Sequence, residues 1–459
     1  MNASDLAGKR VTVMGLGLLG GGVAVARFLA QQGASVTVTD LKSAETLAAS
    51  VAQLDGLPVR LRLGEHVDAD FAEADLLIVN PAVPDTSPYL AKARAAGVPL
   101  DTEINLFFKL CPATIVGVTG SNGKSTTVSL LHHILQRGPR QAWLGGNIGR
   151  SLLGDLGDIA PDHLVALELS SFQLERLEAT GLSPAVSVVL NISDNHLDRH
   201  GTLEAYARAK QPIVANQREG DVALLNADCP IVSTWAPHCP GTALFFSAQR
   251  PLQRGVWLDG ERVLWRHDGA AQPLFARADL KLPGPHFLAD AMAAAGAAAL
   301  CGVEPAAIAD AVRSFHGLEH RLEFVRELDG VRYYNDSKAT TAPAAIAALE
   351  AFDSPVVLIA GGSDKKLDYH GFGRTICSRA RAAVLLGQTA PQVRQAIEAH
   401  GSMPVHMMDD LPGAVLQARR VAQPGDVVVL SPATASYDMF QNFEERGAVF
   451  KRLVMELKP

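Results

Sequence analysis

The sequence predicts an α/β chain of three domains, and three observations predict it. The length of 459 residues corresponds to about three domains at ~150 residues each. Short runs rich in Val, Ile and Leu alternate with helical stretches, the pattern of parallel strands joined by helices. Glycine-rich or small polar loops stand directly after several of these runs. Hydrophobic residues make up 48% and charged residues 19%, which excludes a disordered chain. With 41 basic and 48 acidic residues the net charge is −7, which argues against a nucleic-acid or anionic-membrane partner. The longest apolar run, 287–303, is Ala/Gly-rich and carries Asp290, so no membrane span is expected. No leader is expected either, because MNASDLAGKR runs straight into a strand. Five cysteines, odd in number and without a CxxC spacing, fit reduced thiols and a cytoplasmic location.

The elements follow in order. Residues 11–14 form a strand, Gly15-x-Gly17-x-x-Gly20 a turn, and a helix runs on to Gln32. Residues 35–39 and 76–80 are the next strands, and Pro81, Pro84 and Pro88 break the chain after them. This is a βαβ series, and residues 1–104 are assigned to a Rossmann-like domain. A second series opens with a strand at 114–118, a glycine-rich loop and a helix over 125–136. Strands are expected at 164–169 and 186–191, a hairpin over 255–266 about Asp259-Gly260, and a close-packed helix over the Ala-rich stretch 288–300. These fall in a central domain, 105–316. Strands at 331–334, 356–360, 383–386 and 427–430 place a second Rossmann-like domain at 317–459.

Gly15, Gly17 and Gly20 sit between strand and helix, and Asp40 ends the next strand. Such a loop brings backbone close to a diphosphate at a helix N-terminus; the plain alternative is a glycine turn without a ligand. The second loop reads Gly117-Val118-Thr119-Gly120-Ser121-Asn122-Gly123-Lys124-Ser125-Thr126. Its backbone N–H groups would cradle phosphates, Lys124 would reach the outer ones, and Ser125 would take Mg²⁺. Val118 stands where the strict pattern has glycine, yet the context identifies a P-loop ATPase domain. Glu168 ends a strand of the same sheet and could take the magnesium; alone it would be a strand-end residue. Asp194, His196, Asp198 and His200 cluster after the next strand, as ligands or as loop residues. Lys210 falls on the apolar stripe of Tyr206, Ala209 and Ile213, so it faces inward. It is either a snorkelling stem or a lysine desolvated into a reactive neutral amine. Three further loops, 335–340, 361–368 and 431–436, follow strands and mark the binding rim of an open sheet.

Taken together, the chain resembles the Mur ligases along essentially its whole length. The resemblance rests on VTGSNGKST (118–126), GGNIG (145–149), ELSSFQLE (168–175), NISDNHLDRH (191–200), AYARAK (205–210), GLEHRLE (317–323), NDSKATT (335–341), GGSDKKLD (361–368) and SPATASYDMFQNFEERG (431–447). ELSSFQLE and the last motif point to the branch that adds D-glutamate to UDP-N-acetylmuramoyl-L-alanine. The resemblance implies UDP-binding, ATPase and amino-acid-binding domains and ATP-driven amide formation through an acyl phosphate, with Mg²⁺. It implies a cytoplasmic monomer in peptidoglycan precursor synthesis, with no nucleic-acid or membrane partner.

The same resemblance implies the site residues. Lys124, His196 and Lys210 would be catalytic. Gly117, Val118, Thr119, Gly120, Ser121, Asn122, Gly123, Lys124, Ser125, Thr126, Arg321 and Asp336 would bind ATP. Gly15, Gly17, Leu18, Leu19, Gly20, Asp40, Asn147 and His196 would bind the UDP substrate. Thr340, Lys365, Ser436 and Phe443 would hold glutamate. Ser125, Glu168, His196 and a carbamylated Lys210 would be the metal ligands. Three positions depart from the family pattern: Leu19 stands where a small hydroxyl residue is frequent, and Phe287 and Asp290 replace two asparagines expected near adenine. The alternatives are a related ligase that uses L-glutamate or another acceptor, or an NAD-dependent oxidoreductase built on Gly15–Gly20 and Asp40.

Overall fold

Runs of β-branched and aliphatic residues too short for helices become the strands of three sheets, and the helices between them cover the faces. The computed structural model describes all residues except Met1, Leu19, His196, Pro283, Lys365, Lys366 and Pro459, and leaves aside the side chains of Leu197, Asp198 and Pro285. Leu19, His196 and Lys365, each expected in a site, therefore lie outside the described residues.

The first sheet contains β1 (Arg10–Met14), β2 (Ser35–Asp40), β3 (Val59–Leu63), β4 (Leu76–Val79) and β5 (Leu100–Asp101). It is parallel throughout, in the order β3-β2-β1-β4-β5. Chain order reverses between β1 and β4, so the glycine loop after β1 opens at the switch point, where an open α/β sheet has its crevice. β3 carries Arg60 and Arg62 on an edge; such charges protect an edge strand and hide it from a search for apolar runs.

The second sheet contains β6 (Thr114–Thr119), β7 (Ala142–Gly146), β8 (Leu164–Glu168), β9 (Val186–Val189), β10 (Val222–Asn226), β11 (Thr242–Ser247), β12 (Gly255–Asp259), β13 (Arg262–Arg266) and β14 (Gln272–Ala276). Its order is β14-β13-β12-β11-β10-β9-β6-β8-β7. The pairs from β7 to β12 are parallel, and β12-β13-β14 is an antiparallel meander that contains the hairpin expected about Asp259-Gly260. The Ala-rich stretch is a helix, Pro285–Leu300, with Ala291 to Ala295 fully buried. A Cβ on its Gly296 would lie 2.6 Å from a Val256 methyl and 2.9 Å from a Leu224 methyl, so small residues let this helix sit close to the sheet.

The third sheet contains β15 (Glu323–Leu328), β16 (Val331–Asn335), β17 (Val356–Ala360), β18 (Ala380–Leu386), β19 (Val405–Met408) and β20 (Val427–Leu430). Its order is β15-β16-β20-β17-β18-β19, parallel except for β15. The chain divides into two compact units: 1–277 with 289–312, which holds the first two sheets, and 278–288 with 313–459, which holds the third. Among the described residues no helix is long and apolar enough to cross a membrane.

The glycine loop after β1 is tightly packed beneath the following helix. A Cβ on Gly22 would meet the Leu16 carbonyl oxygen at 2.4 Å and that of Gly15 at 2.6 Å, while a Cβ on Gly21 would meet nothing within 4 Å. Gly22→Ala is therefore expected to cost about 1–3 kcal/mol. Gly21→Ala is expected to be neutral or to stabilise by up to about 1 kcal/mol. Thermal unfolding midpoints of the two variants check this; equal midpoints would contradict it.

Candidate active site

The phosphate-loop motif begins inside β6. Gly117 pairs in register with Leu167 and Ser187, and Val118 with Glu168 and Val188. This corrects the expected cradle. Gly117, Val118 and Thr119 lie in a central strand whose backbone is committed to the sheet, and the loop itself is Gly120–Gly123. Glycine at 117 has another cause: a Cβ there would lie 2.4 Å from Pro184 Cγ. A buried strand position also accounts for Val118.

The segment after β9 docks on the loop. Ser121 N donates to Asn191 O (2.8 Å) and Asn122 N to Asn191 Oδ1 (2.9 Å); Asn191 Nδ2 donates to Asn122 O (3.1 Å) and Ser193 N to Ser121 Oγ (2.9 Å). Lys124 Nζ donates to the loop carbonyls of Gly120 (2.8 Å) and Ser121 (2.9 Å). Gly123 caps the helix Lys124–Leu135 with φ 84° and ψ −16°, and Gly20 caps Gly21–Gln31 with the same two angles. The two glycine loops thus enter their helices by one left-handed geometry, which suits glycine. Ser125 and Thr126 form the first turn that follows. The Asp290 carboxylate presses on Gly123, with Oδ1 2.2 Å from where a Cβ would stand. Phe287 is buried, its ring 4.2 Å from that of His286.

Behind the loop lies a buried amine. Lys210 is 1% exposed. Its Nζ donates to Thr119 Oγ1 at 3.2 Å and stands 4.9 Å from the centre of the Tyr206 ring. Burial, and then the Lys124 cation, push its pKa down to about 6, against a smaller opposing pull from Glu168. The inward lysine of the sequence is therefore a desolvated amine and not a snorkelling stem. Glu168 is buried too; Oε1 accepts from Asn147 Nδ2 at 2.8 Å, and Oε2 has no hydrogen-bond partner among the described residues. Asp194 is exposed, and His200 meets Ser171 Oγ at 3.1 Å and stacks on Phe172. Thr119 as the partner of Lys210 was not legible in the sequence, because 91 positions separate the two.

In the first sheet, Gly15, Gly17 and Gly20 bound a loop whose Leu18 is exposed. Asp40 braces this loop from behind: Oδ2 accepts from Gly17 N (3.1 Å) and Oδ1 from Lys42 N (3.0 Å).

In the unit with the third sheet, Asp336 is held by Leu322 N (3.1 Å) and Ser431 Oγ (2.7 Å), and burial raises its pKa to about 7. Arg321 stands between His320 and Leu322, both at positive φ (63° and 42°). Thr340 and Phe443 are half-buried and Ser436 is buried; Ser337 Oγ donates to Phe443 O at 2.8 Å. Glu319, His320 and Glu323 converge enough to hold an ion, but Lys451 Nζ already bonds both carboxylates, Glu323 at 3.0 Å.

Three family models match in succession: Mur ligase MurD-like, N-terminal domain at 9–101, Mur ligase middle domain at 118–298, and Mur ligase, glutamate ligase domain at 320–434. The chain belongs to the Mur ligase family. A UDP-N-acetylmuramoylalanine--D-glutamate ligase of Roseiflexus sp. (strain RS-1) is 48% identical over 98% of this chain and 99% of its own. One of the same name from Pelotomaculum thermopropionicum is 42% identical over 99% of each. Solved structures agree in fold. The UDP-N-acetylmuramate-alanine ligase MurC of Thermotoga maritima has TM-score 0.60 at 19% identity, over 98% of this chain and 100% of that one. A MurF ligase from the same organism, in complex with ADP, has TM-score 0.56 at 17% identity, over 92% and 95%.

The lysine of this Mur ligase has a measurable thermodynamic signature. Its folded pKa lies near 6 and its unfolded pKa near ~10.4, so between these values the unfolded chain binds the extra proton. Stability then rises with pH, by up to about 1.4 kcal/mol per pH unit from this group. In CO₂-free buffer, Lys210→Met should remove that rise between pH 6.5 and 9. Parallel denaturation profiles for wild type and variant would contradict it.

Proposed function

We propose that this Mur ligase joins D-glutamate to UDP-N-acetylmuramoyl-L-alanine with ATP hydrolysis, in peptidoglycan precursor synthesis. The observation that carries the reading is identity of 38–48% over at least 97% of both chains to relatives that share one name. The buried amine beside the phosphate loop supports it. In this reading 1–104 binds the UDP end, 105–316 binds ATP, and 317–459 binds the amino acid. The chain acts as a cytoplasmic monomer, without a nucleic-acid or membrane partner.

The reaction joins two carboxylate-bearing substrates, and its first step makes an acyl phosphate on the nucleotide sugar. The amino group of glutamate then attacks the acyl carbon and phosphate leaves. Phosphoryl transfer is chiefly a matter of position and charge. The N–H groups of Gly120–Gly123 and the Lys124 ammonium would hold the ATP phosphates. The loop after β1 would take the UDP diphosphate, with Asp40, which accepts from Gly17 N, near the nucleoside. Asn147 and His196 would face the muramoyl part; Thr340, Lys365, Ser436 and Phe443 would face glutamate; Arg321 and Asp336 would reach the nucleotide. The residues suit Mg²⁺, because Glu168 offers a buried carboxylate oxygen without a hydrogen-bond partner among the described residues. Ser125, Glu168, His196 and Lys210 would hold it, and the ion supplies neutralisation of phosphate charge. We assign a carbamate to Lys210, since a neutral amine adds CO₂ and the anion formed suits a cation site.

Phosphate release from ATP should require UDP-N-acetylmuramoyl-L-alanine and D-glutamate together. Faster turnover with L-glutamate would overturn the stereochemistry, and NADH-linked turnover without phosphate release would overturn the class. Lys210→Ala should lose most of this activity, and formate or acetate should restore part of it; full activity in the variant would remove the carbamate.

A further inference from the structure

Two arginines of the second sheet's helices reach across to the loop that follows β4 in the first sheet. Arg199 Nη1 donates to Pro81 O at 3.1 Å, and Arg176 Nη2 donates to Val83 O at 3.0 Å and pairs with Asp85 Oδ1 at 3.2 Å. Neither is a loose surface contact. The Arg176 side chain is 11% exposed, its Nε is buried without a partner among the described residues, and its carbonyl accepts from Asn105 Nδ2 at 3.1 Å. The Arg199 guanidinium lies 4.4 Å from the centre of the Phe172 ring, on which His200 also stacks. The loop they hold is stiffened by Pro81 and Pro84 and ends where Pro88 opens the next helix.

Each end of this linkage leads to a cradle. Arg176 lies in the last turn of the short helix Ser171–Leu177, whose N-cap Ser170 follows Glu168 and Leu169, and Arg199 follows His196 by three residues. At the other end the loop starts at Asn80, whose Nδ2 reaches Gly15 O at 3.5 Å. Asn80 Cβ is 2.8 Å from where a Cβ on Gly15 would stand. Any shift of this loop therefore moves the first glycine turn. Among the described residues neither arginine bonds a glycine loop itself.

We infer that Arg176 and Arg199 are positioning residues that set the register between the two glycine loops, so that the far end of a ligand seated in the first loop arrives at the phosphates seated in the second. The identity of that ligand, a nucleoside diphosphate joined to a carboxylate acceptor, rests on the function proposed above. Fragments that fill one loop alone do not sense the register, whereas the whole substrate does, and ~1 Å of misplacement can cost on the order of 10²-fold in rate.

The test uses Arg176→Met, Arg199→Met and the double variant in the full chain, with Arg199→Lys as the conservative control. Calorimetry with UDP alone and with ADP alone should give dissociation constants within about twofold of wild type, while kcat/KM for UDP-N-acetylmuramoyl-L-alanine falls by about tenfold or more in the double variant. Equal losses for UDP and for the whole substrate would overturn the inference, since the arginines would then merely shape the first cradle; unchanged kcat/KM would also overturn it. Amide exchange is read independently of turnover. Faster exchange over both 80–85 and 15–20 in the variants supports the linkage, and unchanged exchange overturns it. A wild-type chain that binds UDP and ADP but does not turn over the nucleotide sugar would defeat the proposed function, leaving the exchange data to decide the linkage.

Discussion

The parallel register of β6 between β8 and β9 is the constraint on which the candidate active site depends. Val118 stands opposite Glu168, and Thr119 opposite Val189. Three strand ends therefore arrive at one edge: the phosphate loop, the ELSSFQLE segment and the NISDN segment. Backbone bonds continue the register past the strands, from Leu169 N to Val118 O and from Leu190 N to Thr119 O. The Thr119 hydroxyl adds a bond to Leu169 O at 2.7 Å and still accepts from Lys210. A slip of one residue would turn Thr119 and Glu168 to the wrong faces. The sheet thus sets which side chains meet at this edge.

Charge is the second constraint. Lys210 and Glu168 are both almost fully removed from water, and ions in such a place are costly unless paired. They are handled differently. The amine gives up its proton easily, because burial and the Lys124 cation both disfavour the charged form. The carboxylate keeps one bond, from Asn147, and holds its other oxygen in reserve. Asp40 also accepts from its own loop, through Oδ2 from Gly17 N and through Oδ1 from Lys42 N.

The unit with the third sheet organises its loops around another buried ion. Arg446 is 3% exposed and donates to Ser337 Oγ (2.9 Å), Ser337 O (2.8 Å) and Thr434 O (3.2 Å). Burial lowers its pKa to about 10. One guanidinium therefore joins the loops after β16 and β20, which carry Thr340 and Ser436. The loop after β17 is tied in by Ser363, whose Oγ accepts from Asp438 N at 2.8 Å. Left-handed backbone occurs at Ala433 in the loop after β20, and at His320 and Leu322 just before β15; such conformations persist where the surroundings over-determine them.

The sequence by itself determined the α/β class, the positions of the glycine loops and the inward lysine, because each depends on local period and turn chemistry. Apolar runs marked β1, β6, β8, β9, β17 and β20, and helical spacing turned Lys210 inward. Charged or short edge strands such as β3 and β5 left no such period. Tertiary structure alone decided what the marked residues touch. Gly117 and Val118 are strand, because β6 pairs with β8 up to Val118 and with β9 up to Thr119. Asp40 faces its own loop, because the Gly17 amide lies within reach. Thr119 meets Lys210, and Arg176 and Arg199 meet the loop after β4, only because distant segments are packed together. Local pattern says which way a side chain points; its partner is chosen by the register of sheets assembled from segments far apart in the chain.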